Sequence, residues 1–361
     1  MIELKKLVFL CFFLLLFPKN VLAIENSATS SIVMDLDSGR IFEQKDSNTE
    51  RLIASTTKIM TFLVAVTYAG DKLNEKVVVG EEVLKMYGTN MYLSLNEELK
   101  LIDLLYGLML RSGNDASVVI ATYVAGSIDN FVYLMNEKAK EIGMQNTAFK
   151  NPHGLDEETK NYSTAYDLAI LTRYLYLNYP LYKEISGTKY YDFQSNLKSY
   201  SLTNRSKIIF TYENTTTAKN GYTPSAGKSL VTTATNNDLN LLIVTLDDPN
   251  IYENHENLYK YYFNTYKNYL ILDKNNFQVD GNLLNNYYIK NSFSYPLTEA
   301  EKEKITTKII VEDEKKDCLG RVQILLNDEV IHEEKIYKKD EPAKKESWWT
   351  KIKNFFKNLF K

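Results

Sequence analysis

The sequence predicts an α/β body, an antiparallel sheet with a helical region inserted between its strands, then a small C-terminal β domain and a terminal amphipathic helix. Three observations predict it. Strand patterns stand at both ends of residues 24–270, and helical periodicity fills the stretch between them. After about residue 271 the chain turns to short alternating runs rich in Asn and Lys.

The elements follow in order. Residues 1–23 read as an export signal: Lys5 and Lys6, an apolar run from Leu7 to Phe17, then small residues around Val21-Leu22-Ala23. The run is too short to span a bilayer comfortably, which favours a cleaved signal. Cleavage removes Cys11 and leaves only Cys318, so no internal disulfide is expected. Residues 31–46 alternate around Asp37-Ser38-Gly39 as a β-hairpin. Helical faces then recur at Ile59, Met60, Phe62, Leu63 and Val66, at Leu104, Leu105, Leu108 and Met109, and at Val118, Val119, Thr122 and Tyr123. Strands return from about Lys219, with a polar turn at Asn236-Asn237-Asp238, and a helical stretch near residues 257–269 closes the body. Residues 271–340 form the small β domain, where Arg321 to Leu326 alternate before a turn at Asn327-Asp328.

Residues 341–361 are a polar linker and a tail. In residues 347–361, Trp348, Trp349, Ile352, Phe355, Phe356, Leu359 and Phe360 share one helical face, and Lys351, Lys353, Lys357 and Lys361 occupy the rest. Aromatics opposite lysines describe a helix lying in a membrane interface. A formal charge of −3 on an exported chain with a basic tip does not suit nucleic acid as a partner.

Chemistry is confined to a few residues. The only histidines are His153, His255 and His332, with no His-Glu-x-x-His pair and no Gly-x-Ser-x-Gly elbow, so neither a metal site nor a hydrolase triad is supported. His153, in Asn151-Pro152-His153-Gly154, reads as a turn residue. Ser55-Thr56-Thr57-Lys58 is different. A lysine one helical turn after a serine shares its face, and a desolvated lysine can serve as the serine's base. Ser-x-x-Lys also occurs at Ser186/Lys189, Ser195/Lys198 and Ser225/Lys228, so the motif alone is weak. Ser112-Gly113-Asn114 sits in a turn between helices, though Ser94-Leu95-Asn96 repeats the pattern. Lys219-Asn220-Gly221 opens the late strands, where a lysine on an edge strand favours an anionic ligand and a glycine admits a ligand backbone.

Order and spacing strengthen these signals. Ser112 follows Ser55 by 57 residues, and Lys219 follows Ser112 by 107. Here the sequence resembles the penicillin-binding proteins and serine β-lactamases, and most closely the low-molecular-mass D-alanyl-D-alanine carboxypeptidases, peptidase family S11. Residues 54–61, 103–116, 151–155, 162–168, 221–223 and 226–227 carry the resemblance, which covers about residues 31–266. It implies a β-lactamase/transpeptidase-like fold for the body and removal of the terminal D-alanine from peptidoglycan stem peptides. By the same resemblance, Ser55 is the acylated nucleophile and Lys58 its general base. Ser112 passes a proton to the leaving D-alanine, and Asn114 binds the substrate amide. Lys219 acts electrostatically beside Asn220, Gly221 and Tyr222, and the N–H groups of Ser55 and Tyr222 form the oxyanion hole. β-Lactams are then covalent inhibitors, and no cofactor or metal is implied. With the export signal and the tail, the expected place of the chain is the outer face of the cytoplasmic membrane.

Two positions depart from the family. Thr or Ser usually stands where this chain has Asn220, and no Arg occurs between Arg205 and Arg321, where many members place a carboxylate-binding Arg. Weaker carboxylate recognition is the expectation. The alternative readings are a penicillin-binding wall scaffold with little turnover and, with less support, a β-lactamase, for which no Glu-x-x-Leu-Asn stretch is present between Ser112 and Lys219. Deleting residues 347–361 is expected to move the mature protein from the membrane to the soluble fraction, and salt should weaken binding of the isolated peptide to anionic vesicles. A truncated protein that stays on the membrane would make the tail a packing element.

Overall fold

Apolar alternation at the two ends of the body becomes one five-stranded sheet. In the computed structural model, which describes residues 26–277, 287–312 and 318–338, the hairpin of β1 (Ser30–Asp35) and β2 (Ile41–Lys45) joins strands from nearly two hundred residues later. Between them lies a second hairpin, β3 (Tyr190–Gln194) and β4 (Ser199–Thr203), which the sequence reading had not identified. The late strands are β5 (Thr215–Thr223), β6 (Gly227–Asn236) and β7 (Leu239–Leu246). The sheet order is β2-β1-β7-β6-β5, and Ile32 pairs with Val244 across the β1–β7 seam. Strand β5 is therefore an edge. Asn237 and Asp238 both take positive φ, 46° and 64°, as a two-residue hairpin with the right twist requires.

The inserted helices are α1 (Lys58–Ala69), α2 (Leu101–Tyr106), α3 (Asn114–Ala125), α4 (Ile128–Glu141), α5 (Ala165–Asn178) and α6 (Pro180–Gly187). Helix α1 is almost wholly apolar and is buried except at Thr67 and Tyr68 in its last turn, as such a helix must be. Ile59, Met60, Phe62, Leu63 and Val64 are wholly inaccessible, and Lys58 at its start is the only charge in it. Helix α2 runs into a π-helical turn over Gly107–Arg111 that carries Leu108 and Met109 into the same core. Thr122 and Tyr123, expected inside, are only half-buried, because they lie in the last turn of α3; the Tyr123 hydroxyl reaches the Glu75 carboxylate.

Helix α7 is Ile251–Thr265, earlier at both ends than its periodicity suggested, because the chain from Lys267 is already paired as a strand. The chain divides into two compact units. One comprises the residues up to Asn236 with Asn240–Tyr261, the other Asn237–Leu239 and the residues from Tyr262. In the second unit, β8 (Lys267–Leu272) pairs with β10 (Phe293–Leu297), and a four-stranded sheet runs β9 (Tyr287–Ile289), β13 (Glu329–Lys338), β12 (Cys318–Leu326), β11 (Ile305–Val311). Leu272, Ile289, Val322, Ile324 and Ile336 form its core. The export signal of residues 1–23 and the tail of residues 341–361 lie outside the described residues.

One glycine decides a close approach. Gly154 has φ +90°, and a Cβ placed on it would lie 1.9 Å from the carbonyl oxygen of Ala54. Its loop is pressed against the turn that carries Ser55. Gly154→Ala is expected to cost about 1–3 kcal/mol from the backbone conformation alone, read as a lower midpoint in urea denaturation. An unchanged midpoint would show that the loop does not hold this position.

Candidate active site

Five side chains from three stretches of chain, and one backbone carbonyl from a fourth, converge on one point. Ser55 lies in a single 3₁₀ turn, Ala54–Thr57, that leads into α1. One turn on, Lys58 Nζ stands 2.9 Å from Ser55 Oγ. It also stands 2.8 Å from Asn114 Oδ1 and 2.6 Å from the His153 carbonyl oxygen. Those two oxygens can only accept. Asn114 is held in this orientation by its own Nδ2, which donates to the Tyr87 carbonyl at 2.7 Å. Lys58 is fully buried, and burial, then the charge of Lys219, pushes its pKa well below the usual lysine value. A neutral amine has two N–H groups and one lone pair. Both N–H groups are taken by carbonyl oxygens, so the lone pair is left for the Ser55 hydroxyl.

Ser112 is placed by backbone geometry. It ends the π-helical turn in the left-handed conformation, φ 60°, ψ 38°, immediately before α3. Lys219 Nζ, from the edge strand β5, donates to Ser112 Oγ at 3.0 Å and to the Asn220 carbonyl at 2.7 Å. Lys219 is also wholly buried, and desolvation, then the charge of Arg205, lowers its pKa to about 7. Gly221 allows β5 to approach the nucleophile's turn: a Cβ there would lie 3.0 Å from Ser55 N. Asn220 accepts a hydrogen bond from Ser206 Oγ at 3.0 Å, and the Tyr222 side chain is exposed.

A serine whose hydroxyl faces a buried lysine of lowered pKa, with a second serine hydrogen-bonded to a buried lysine on a strand edge, is an acyl-transfer site in geometry. The sequence pattern of the D-alanyl-D-alanine carboxypeptidase family, Peptidase_S11, matches residues 18–250. The chain belongs to this family. It is similar to D-alanyl-D-alanine carboxypeptidase DacF of Bacillus subtilis, 36% identical over 63% of this chain and 59% of that protein. It is 34% identical to DacC of Escherichia coli, over 65% of this chain and 62% of that protein. The matched part thus spans about six-tenths of these relatives' length. Among solved structures, penicillin-binding protein 5 from Haemophilus influenzae superposes with a TM-score of 0.75 at 25% identity, covering 89% of this chain and 99% of that one. The D-alanyl-D-alanine carboxypeptidase from Mycobacterium tuberculosis gives 0.64 at 28% identity, over 68% of this chain and 95% of that one.

Set in this family's fold, the competing motifs separate. Ser186 is buried inside α6, Ser195 donates to Glu97 in the β3–β4 turn, and Lys228 donates to the Pro249 carbonyl. None of the three serines faces a buried amine. Ser94 and Asn96 lie in a loop closed by the Glu97 carboxylate on Ser94 N. The ring of His153 accepts from Leu155 N, and burial and Lys58 push its pKa to about 3, so it stays neutral; its backbone oxygen is the part that touches the site. His255 is a core residue bridging Thr232 and Thr245, and His332 stacks on Phe293.

Three contributors were missed from sequence. Asn161 Nδ2 donates to Thr57 Oγ1 at 3.0 Å and to the Asn151 carbonyl at 2.9 Å, while Asn151 Oδ1 accepts from Gly154 N at 2.6 Å. This network sets the His153 carbonyl over Lys58. Asp115 accepts from Met91 N and Leu93 N and lays residues 87–93 across the start of α3. Arg205, anchored by its N–H on the Leu110 carbonyl, brings a cation close to Lys219. Asn161 follows the Asn151 turn in sequence, but nothing local marks its partner.

A carbon-13 titration of the lysines is expected to show one residue, missing in Lys219→Gln, that discharges near pH 7 instead of 10.5. With the folded pKa lowered, the unfolded chain binds more protons between about pH 7 and 10.5, so this group's contribution makes stability rise with pH through that window. Titration of every lysine above pH 10 would contradict the burial of Lys219.

Proposed function

We propose that the protein is a serine-type D-alanyl-D-alanine carboxypeptidase that trims peptidoglycan stem peptides through an acyl-enzyme on Ser55. The observation that carries this reading is the Lys58 amine, 2.9 Å from Ser55 Oγ with its N–H groups consumed by Asn114 Oδ1 and the His153 carbonyl. Ser55 Oγ attacks the penultimate D-alanyl carbonyl as its proton passes to Lys58. The carbonyl oxygen becomes an oxyanion between the N–H groups of Ser55 and Tyr222, which the close approach of Gly221 to Ser55 N brings together. The C–N bond then breaks, and the proton returns through Ser112 Oγ to the amine of the departing D-alanine. Water hydrolyses the ester, giving a carboxylate and restoring the Ser55 hydroxyl.

In place of an Arg beyond the late strands, this chain offers other groups to the terminal carboxylate. Arg205 and Lys219 supply two cations on that side, and Asn220 adds an amide whose oxygen is occupied by Ser206 and whose nitrogen can donate. This supports turnover over a binding-only scaffold. The sequence features of residues 1–23 and 347–361 support a place on the outer face of the cytoplasmic membrane.

Fluorescent penicillin is expected to label the protein covalently, and Ser55→Ala to abolish the label. Lys58→Ala should slow acylation by about 10²- to 10⁴-fold, the usual worth of a general base. The purified protein should release D-alanine from a stem-peptide mimic. Undiminished labelling of Ser55→Ala would overturn the assignment, and labelling without D-alanine release would favour the scaffold.

A further inference from the structure

The strand that brings the Tyr222 N–H to the reacting carbonyl is paired on one side only. In β5, Gly221 stands opposite Ser229, Tyr222 opposite Lys228 and Thr223 opposite Gly227, all in β6. No strand of the described residues pairs with its other side. A strand end held from one side opens at low cost, yet the position of this one is demanding. A Cβ on Gly221 would lie 3.0 Å from Ser55 N and 3.1 Å from the Ile53 carbonyl oxygen. Thr223 supplies a second hold. Its Oγ1 accepts from Ala226 N at 3.0 Å, closing the turn into β6, and donates at 2.6 Å to Oδ2 of Asp156, a residue 67 positions earlier. The direction is fixed, because a backbone N–H can only donate and leaves the one hydroxyl hydrogen for the carboxylate. Thr223 is buried and Asp156 half-buried, so this short, charge-assisted bond is partly shielded from water.

The other end of this bond belongs to the loop that serves Lys58. Asp156 follows His153 by three residues, and the stretch between them is braced at each step. Asn151 Oδ1 accepts from His153 N and from Gly154 N, Asn151 Nδ2 donates to the Leu155 carbonyl at 2.9 Å, and His153 Nδ1 accepts from Leu155 N. A displacement of Asp156 is therefore passed to the His153 carbonyl, which stands 2.6 Å from Lys58 Nζ. The contacts close a ring: the Ser55 turn, Gly154 packed on Ala54, Asp156, Thr223, and Gly221 packed back on the Ser55 turn. We propose that Asp156 is a positioning residue that couples the two halves of the acyl-transfer centre. Through Thr223 it holds the Tyr222 N–H in register with the Ser55 N–H, and through its own loop it holds the carbonyl that orients Lys58. Asp156 acts only as a hydrogen-bond acceptor, and no bond is made or broken at it. The inference rests on the acyl-enzyme reading of Ser55.

The split between kcat and KM tests this, with D-alanine release from a stem-peptide mimic as the assay. Saturating fluorescent penicillin counts the folded sites, so that kcat is expressed per labelled Ser55 and a loss of folded protein does not enter it. Removing an oxyanion donor outright costs about 10²- to 10³-fold in kcat. Asp156→Ala displaces that donor without removing it, and is expected to lower kcat about 10- to 100-fold while KM stays within about threefold. Asp156→Asn and Thr223→Ser keep the acceptor and the hydroxyl, and each should recover kcat to within about threefold of the native value. Thr223→Val should lose at least as much as Asp156→Ala, and combining the two should cost less than about twofold more, as residues joined in one contact require. A native kcat per labelled site in Asp156→Ala would reduce the bond to a loop tether and overturn the inference. So would a rise in KM alone, an Asp156→Asn protein as impaired as the alanine variant, or losses that multiply in the double variant. A native protein that neither takes the label nor releases D-alanine would overturn the acyl-enzyme reading as well.

Discussion

The site depends on one constraint, the burial of the Lys58 amine at the head of an apolar helix. An ammonium there would face a desolvation cost of several kcal/mol, and the nearby Lys219 raises that cost. Both effects lower its pKa and favour the neutral amine, which needs only two acceptors to be satisfied. Asn114 Oδ1 and the His153 carbonyl supply them. What remains is a directed lone pair, and the Ser55 hydroxyl is where it points. The surrounding structure can be read as the means of keeping that arrangement in place.

Each acceptor has its own support, drawn from a different part of the chain. The His153 carbonyl is set by the Asn151–Asn161 network and by Thr61 Oγ1 donating to the Pro152 carbonyl, which ties the loop to the side of α1. Asn114 is held by the Tyr87 carbonyl, and Asp115, one residue beyond Asn114, holds the stretch that follows through Met91 N and Leu93 N. Two non-glycine residues next to the chemistry, Ala54 and Ser112, have positive φ of 45° and 60°. Such conformations cost about 1–3 kcal/mol each and persist where the surroundings over-determine them. At Ala54, Gly154 and Gly221 provide the close packing that does so.

The second buried lysine divides the labour. Lys219 touches Ser112 and stands near Arg205, so its charge is maintained less firmly than that of a surface lysine but acts in a medium of lower dielectric.

Much of this was legible in the sequence, for local reasons. Two-residue turns at Asn237-Asp238 and Asn327-Asp328 announce hairpins because they accept positive φ. Apolar periodicity gave α1, and the order of Ser55, Ser112 and Lys219 pointed to one site before any distance was known. The sequence could not choose among four Ser-x-x-Lys pairs by themselves, since that choice is one of burial, and burial is set by neighbours far along the chain. Nor could it show that His153 contributes its backbone and not its ring, that Asn161 braces it, or that Arg205 lies beside Lys219. Local pattern determined which residues could do chemistry. Only the tertiary structure decided which of them do it together, because a neutral lysine is made by the removal of water from all sides, and no stretch of neighbouring residues removes it alone.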